Sequence, residues 1–369
     1  MDANSDTHSK SEAVHPIDGG QQSLEGGIRR TADIVALVYI GVIATVASVT
    51  GAFYVMFPEL AALSWDVMER PRGRWATSPV LLALTPALTG LVGTLVTRTM
   101  PYGFVSVLLT VMACVVVVRA LRSPVAPAIS AGLLPLVLGV TSWWYPPGIL
   151  FGSSLLAAVS IPWRRYVRAS AVGGRDDSQC VDSPSAAILA KDAAEVVGVP
   201  RATASRPLIP LMVFVAIAVG VVKLTGMRFI LFPPLVVILY EMFSHPDQCP
   251  WVGRPVSLPV ACFLAAVGGY FFRAHFASDT LAAMFSMAWG IAVLRVLDFH
   301  VPPTLAVALL PMVMTNPGLG YPIAVGLGTT LASVWFVLFE KWNRARPETT
   351  AIALPTTTPT VSSTVDSAL

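Results

Sequence analysis

The chain has 369 residues, 55% of them hydrophobic and only 12% charged, with a formal net charge of +3. An ordinary soluble domain carries roughly 25% charged residues, so the composition points to a polytopic membrane protein. The near-neutral balance gives no case for nucleic acid as a partner. Cys114, Cys180, Cys249 and Cys262 show no paired spacing, so neither a disulfide framework nor a metal site is implied.

Residues 1–31 read as a disordered cytoplasmic tail. Its acids, Asp2, Asp6, Glu12, Asp18 and Glu25, are foreign to a transit peptide, and it lacks the apolar core of a secretory signal. Arg29-Arg30 precede a first span at 34–52. A shorter apolar piece at 57–68 ends in a charged loop at 69–74. Full-length spans follow at 79–96 and 102–121, then a short proline-started piece at 125–140 and a last span at 148–161. Residues 164–206 form a hydrophilic cytoplasmic linker. The series then recurs at 208–224, 230–243, 256–272, 281–297, 304–314 and 323–339, before a second polar tail at 343–369. A span needs about 20 residues, so the second and fifth pieces of each series are expected to be half-helices or re-entrant segments.

The recurrence reads as an internal repeat. Phe57-Pro58 matches Phe232-Pro233 at an offset of 175 (232 − 57), and Trp65-Asp66 then falls on Tyr240-Glu241. After one insertion the offset is 176, which places Arg119 on Arg295, Pro127 on Pro303 and Gly152-Ser153-Ser154-Leu155 on Gly328-Thr329-Thr330-Leu331. The expected fold is therefore an all-α polytopic membrane protein with two tandem pseudo-repeats, 32–163 and 207–342. Each would hold about four full transmembrane helices plus two short ones. Basic clusters at Arg29-Arg30, 164–168 and 341–346 flank spans, and short basic flanks stay cytoplasmic. Both termini are thus expected inside a cell (inner or plasma) membrane, with parallel repeats that each cross an even number of times.

The second half, from Leu208 to Trp342, carries Phe232-Pro233, the bend Pro250-Trp251-Val252-Gly253-Arg254-Pro255, Gly268-Gly269 closing a span, and Arg295-Val296-Leu297 before His300-Val301-Pro302-Pro303. In these features it resembles the HPP family of integral membrane proteins, named for a His-Pro-Pro motif. Here Val301 separates the histidine from the proline pair, and residues 32–163 contain no histidine. The resemblance implies four spans per domain. Since some plastid and cyanobacterial members are implicated in nitrite transport, it also implies a pathway for a small anion.

Candidate site residues lie at the breaks between apolar pieces. Pro302, Pro303 and Thr304, and their counterpart Pro127 with Ser130 one turn on, fit the starts of short helices, whose freed N–H groups and positive dipole end suit an anion. Phe57-Pro58 and Phe232-Pro233 are expected to start opposing half-helices. His300 titrates near neutrality, with Asp298 two residues earlier to hold its charge. Asp66 and Glu241 end the second pieces, where an intramembrane carboxylate is a candidate for proton coupling, and Arg119 and Arg295 could attract an anion or neutralise those acids. Gly90, Gly93, Gly268 and Gly269 are expected to allow close helix packing.

These readings converge on a transporter or channel for a small, nitrite-like inorganic anion, with the bilayer as its other partner and no organic cofactor; a homo-oligomer is compatible with them. A membrane-embedded enzyme acting on a lipid or quinone is one alternative, although the chain has no nucleophile elbow or phosphate-binding glycine loop. A non-catalytic scaffold or partner subunit is the other.

Overall fold

The computed structural model describes residues 18–172, 208–246, 249 and 251–344. All regular structure among them is helical. We number the helices α1 (Asp18–Thr50), α2 (Glu59–Glu69), α3 (Pro79–Thr99), α4 (Phe104–Ala120), α5 (Ala128–Leu138), α6 (Tyr145–Val172), α7 (Leu208–Thr225), α8 (Pro233–Ser244), α9 (Ser257–His275), α10 (Asp279–Val296), α11 (Pro303–Leu309) and α12 (Gly320–Arg344). Short 3-10 turns precede α2 (Phe53–Val55) and α8 (Arg228–Leu231), and another follows α11 (Leu310–Met312).

Among the described residues, seven helices are long and apolar enough to cross a membrane: those containing Gly27–Thr50, Pro79–Thr99, Tyr145–Ser170, Leu208–Thr225, Ser257–His275, Asp279–Val296 and Gly320–Asn343. Only 39% to 50% of each apolar window is buried, and the rest turns outward residues such as Val38, Val80, Leu281 and Ile323. Such a surface is a liability in water and the expected surface in lipid. The protein is an α-helical, multi-pass membrane protein. Helix α4 is equally apolar but has 17 residues, which at 1.5 Å per residue reach about 26 Å.

Regular structure extends beyond the apolar limits in three places. Helix α1 begins at Asp18, α6 runs to Val172 and α12 to Arg344. Helix thus enters the segments that hydropathy assigns to the two tails and the linker. Hydropathy marks where lipid ends, whereas a helix continues into water until its backbone finds a stop. The remainder of those segments, residues 1–17, 173–207 and 345–369, lies outside the described residues.

The short helices are short because proline starts them and the chain has little apolar length left to spend. Helices α2 and α5 have 11 residues, α8 has 12 and α11 has seven, all well below the ~30 Å of a hydrocarbon core. Pro58, Pro127 and Pro302 stand at the N-caps of α2, α5 and α11, and Pro233 and Pro303 at the first positions of α8 and α11. Their missing N–H is one that no helix start could bond. All four short helices are almost wholly buried, wrapped by the long ones.

Close approach holds them there. A Cβ on Gly93 of α3 would overlap the Gly132 carbonyl of α5, and one on Gly269 of α9 would overlap the Ala308 carbonyl of α11. The Tyr145 hydroxyl donates to the Ala131 carbonyl at 2.7 Å, and the Tyr321 hydroxyl to the Val307 carbonyl at 2.6 Å. These bonds pin the long helices α6 and α12 to the short helices α5 and α11.

Helix α1 packs on α10, α2 on α11, α4 on α7 and α5 on α8. The start of α1 and the end of α6 lie at the same end of the bundle. Arg29 Nε donates to Glu69 Oε1 at 2.9 Å, the Trp163 indole donates to the Met68 carbonyl at 2.8 Å, and Arg164 to the Ala76 carbonyl at 2.6 Å. In the other half, Trp335 near the end of α12 donates to Pro210 at the start of α7 at 3.1 Å.

Candidate functional site

The chemistry gathers where α2 ends, α10 ends and α11 begins. Helix α10 closes at Asp298, which takes a left-handed φ of 46°. Asp298 N–H bonds the Arg295 carbonyl at 3.2 Å and Phe299 N–H bonds the Leu294 carbonyl at 2.9 Å, the double bond that satisfies orphan carbonyls at a helix end. This reversal sends Phe299 and His300 back toward the core before Pro302 starts α11. Arg254 locks the turn by donating to the Asp298 carbonyl at 2.8 Å. Asp298 thus shapes the turn, and the expectation that its side chain holds the charge of His300 is corrected.

Carboxylates from α2 perform that task instead. His300 Nε2 lies 3.1 Å from Asp66 Oδ1, and its Nδ1 lies 3.5 Å from Glu69 Oε2. The imidazole stacks on Trp65 at a ring distance of 4.7 Å and an angle of 24°. Trp65, Asp66, Glu69 and Arg70 share one helical neighbourhood because residues three and four apart stack on a helix surface. A carboxylate can only accept, so a ring facing two of them is best satisfied with both nitrogens protonated. Burial alone would lower the His300 pKa, and Arg70 acts in the same sense. Its hydrogen bond to Asp66, the facing Glu69 carboxylate and the charge of Asp66 outweigh both and raise it above its ordinary 6.5. For Glu69, burial pushes upward, but His300 and Arg295 hold the carboxyl down at about 2.

Arginines complete the cluster. Arg295 on α10 donates through Nη2 to Asp33 on α1 at 2.8 Å and through Nη1 to Glu69 at 2.7 Å, and its guanidinium sits 5.3 Å from the centre of the Trp65 ring. Trp65 Nε1 also donates to Asp33, at 2.8 Å. Arg70 bonds Asp66 through both Nε and Nη2. The network joins three carboxylates, three guanidiniums (with Arg29) and one imidazole. Protonation of His300 therefore takes its net charge from zero to +1.

His300 is also a shared wall. One cavity that it lines has about 230 Å³, is shared with Arg29, Arg254, Arg295, Asp298 and Trp65 among others, and is predominantly basic. The second has about 410 Å³ and reaches Asp66, Glu69, Glu241, Pro124, Pro302, Pro303 and the arginines of the 70–74 loop. Glu241, from α8, lines this second cavity and lies 3.3 Å from His245 Nδ1.

Of the residues singled out in the sequence, His300 and Asp66 meet directly, Arg295 joins them through Glu69 and Trp65, and Glu241, Pro302 and Pro303 line the larger cavity with His300 and Asp66. Arg119 ends α4 and lines neither cavity. Thr304 is buried, its hydroxyl 3.6 Å from the Cys262 sulfur. Phe57, Pro58, Pro127, Phe232 and Pro233 are buried in the packing of the short helices and reach neither cavity. The four starts of the short helices do not gather at these cavities, although those of α2 and α5 meet elsewhere through Glu59 and Ser130. The start of α11 meets the C-terminal ends of α2 and α8, because α2 and α8 run toward the end of the bundle from which α5 and α11 set out. Ser130 bonds Glu59 at the start of α2, away from both cavities.

Sequence reasoning missed Glu69, Asp33 and Glu59. Glu69 lies one turn after Asp66, a spacing that helical periodicity makes visible. Asp33 is an acid just before an apolar span. Glu59 follows Phe57-Pro58 and looks like an ordinary acid at a helix start. No protein-family model, curated protein or solved structure matches the chain.

Proposed function

We propose that the protein moves a small inorganic anion, nitrite-like in size and charge, between its two halves, with His300 and its carboxylates forming the closed partition. The observation that carries this reading is His300 lining both a basic cavity and a larger one while paired with Asp66 and Glu69. Asp33 and Glu69 occupy the donors of Arg295 that a carboxylate-sized anion would use. They act as internal substitutes, and the arriving anion takes Arg295 by displacing them. That exchange releases Glu69 from Arg295 and loosens its hold on His300. The resemblance of the second half to the HPP family supports the choice of nitrite.

We further propose that residues 32–163 and 207–342 are tandem, parallel copies, each with four crossings once α4 is counted, and two short helices. Supporting this are the recurring order of elements, the matched tyrosine bonds and the left-handed residues Arg122 and Asp298 at an offset of 176 (298 − 122). The arginines at the His300 end of the bundle favour the cytoplasm for that end and for both termini.

The test is flux into proteoliposomes of purified protein, with nitrite, formate, nitrate and chloride offered with and without a pH gradient. Wild type is expected to give saturable flux of at least one of these anions, and Arg295→Gln to lower it about tenfold, the equivalent of ~1.4 kcal/mol. Silence across the panel from folded protein overturns the reading.

A further inference from the structure

A second ionisable site lies away from this cluster, at the far end of α2. Glu59 opens that helix and is 1% exposed. The Ser130 hydroxyl on α5 donates to its Oε1. Its Oε2 is also buried and has no hydrogen-bond partner among the described residues. The titratable groups brought by neighbouring elements are already engaged or neutral. Tyr145 of α6 donates to the Ala131 carbonyl at 2.7 Å, and Tyr39 of α1 to the Gly152 carbonyl at 2.8 Å. Cys114 of α4 is a buried thiol facing the Thr89 carbonyl, and α11 brings no ionisable side chain. On α2 itself, Asp66 lies seven residues on, two turns along the same face.

We propose that Glu59 is a proton-binding site, its Oε2 carrying the proton while Oε1 accepts from Ser130. A carboxylate here would be an unpaired buried ion. The dipole of one short helix offsets less than such an ion costs. The neutral acid needs no counter-ion.

The position gives the site a use. At the end of the bundle opposite His300, Tyr54 lines a cavity of about 410 Å³ with Thr50, Trp144 and Gly148. Tyr54 packs edge-on against Tyr145 at 5.8 Å, and Tyr145 reaches the residue after Ser130. Glu59 therefore stands between that far cavity and the Asp66–His300 cluster. A proton entering from the far end binds Oε2, and the same proton leaves toward Asp66 when the short helices shift. This coupling role rests on the transport reading above; the proton binding itself does not.

The experiment is infrared difference spectroscopy of the full chain in lipid, between acid and alkaline buffer, with anion flux measured on the same preparation. Wild type should show the C=O band of a protonated buried carboxyl. Glu59→Gln should lose that band, and Ser130→Ala should keep it but move it to higher frequency, since a carbonyl freed of a hydrogen bond stiffens. No Glu59-dependent band, or one indifferent to Ser130→Ala, overturns the proposal whether or not anions move. The expected band without flux keeps the proton site and removes the transport reading alone.

Discussion

At the scale of single residues, His300 and Glu69 hold each other in their charged forms, and this couples stability to pH. The His300 pKa is raised above 6.5, so its contribution is fully present below about 6.5 and is lost as pH rises through the folded value. The Glu69 pKa is lowered from 4.5 to about 2, so its contribution is present above 4.5 and is lost as pH falls toward 2. The pair is therefore strongest between about pH 4.5 and 6.5. His300→Gln should cost the most thermal stability in that window and less above it, measured as the difference in Tm from wild type. A Tm difference that stays flat from about pH 5 to 9 would count against the charged pair. Much of this site was legible in the sequence, because a titratable or acidic residue inside an apolar chain is conspicuous. His300, Asp66 and Arg295 were visible on those grounds. Their pairing was not, since Asp66 and His300 are 234 residues apart and no periodicity spans that distance. Local proximity even favoured the wrong partner, Asp298.

At the scale of elements, the helices meet without side chains between them. Gly269 lies against the Ala308 backbone, where an added methyl has nowhere to go. Gly220, in α7, has open space around its Cβ position. Gly269→Ala should therefore destabilise the protein by about 1–3 kcal/mol through overpacking. Gly220→Ala should be neutral or stabilising by up to ~1 kcal/mol, because Gly weakens a helix interior. Denaturation in mild detergent would measure both, and equal effects would argue against the α9–α11 contact. The short helices were readable as elements because proline and limited apolar length mark them. Their direction relative to the cavity was not, because a helix start looks the same whichever way the helix then runs.

At the scale of the molecule, four helix pairings and the bonds from Arg295 to Asp33 and Glu69 join the first half to the second. A protease site inserted within 173–207 and cut after purification should leave the two pieces co-eluting in mild detergent. Arg295→Ala should lower the temperature at which they part, and prompt separation of the wild-type pieces would contradict the interface. How the halves face each other could not be read from the chain, since apolar faces suit lipid and protein equally. The cluster around His300 also bears on stoichiometry. At offsets of 175 and 176, the positions of Asp33, Glu69 and His300 fall on Leu208, Ser244 and Pro124. The acids Asp33, Asp66 and Glu69 come from the first half and Arg295 and His300 from the second, so neither half alone could assemble the centre. The described residues hold one such centre, and an anion bound through it would occupy one equivalent per polypeptide.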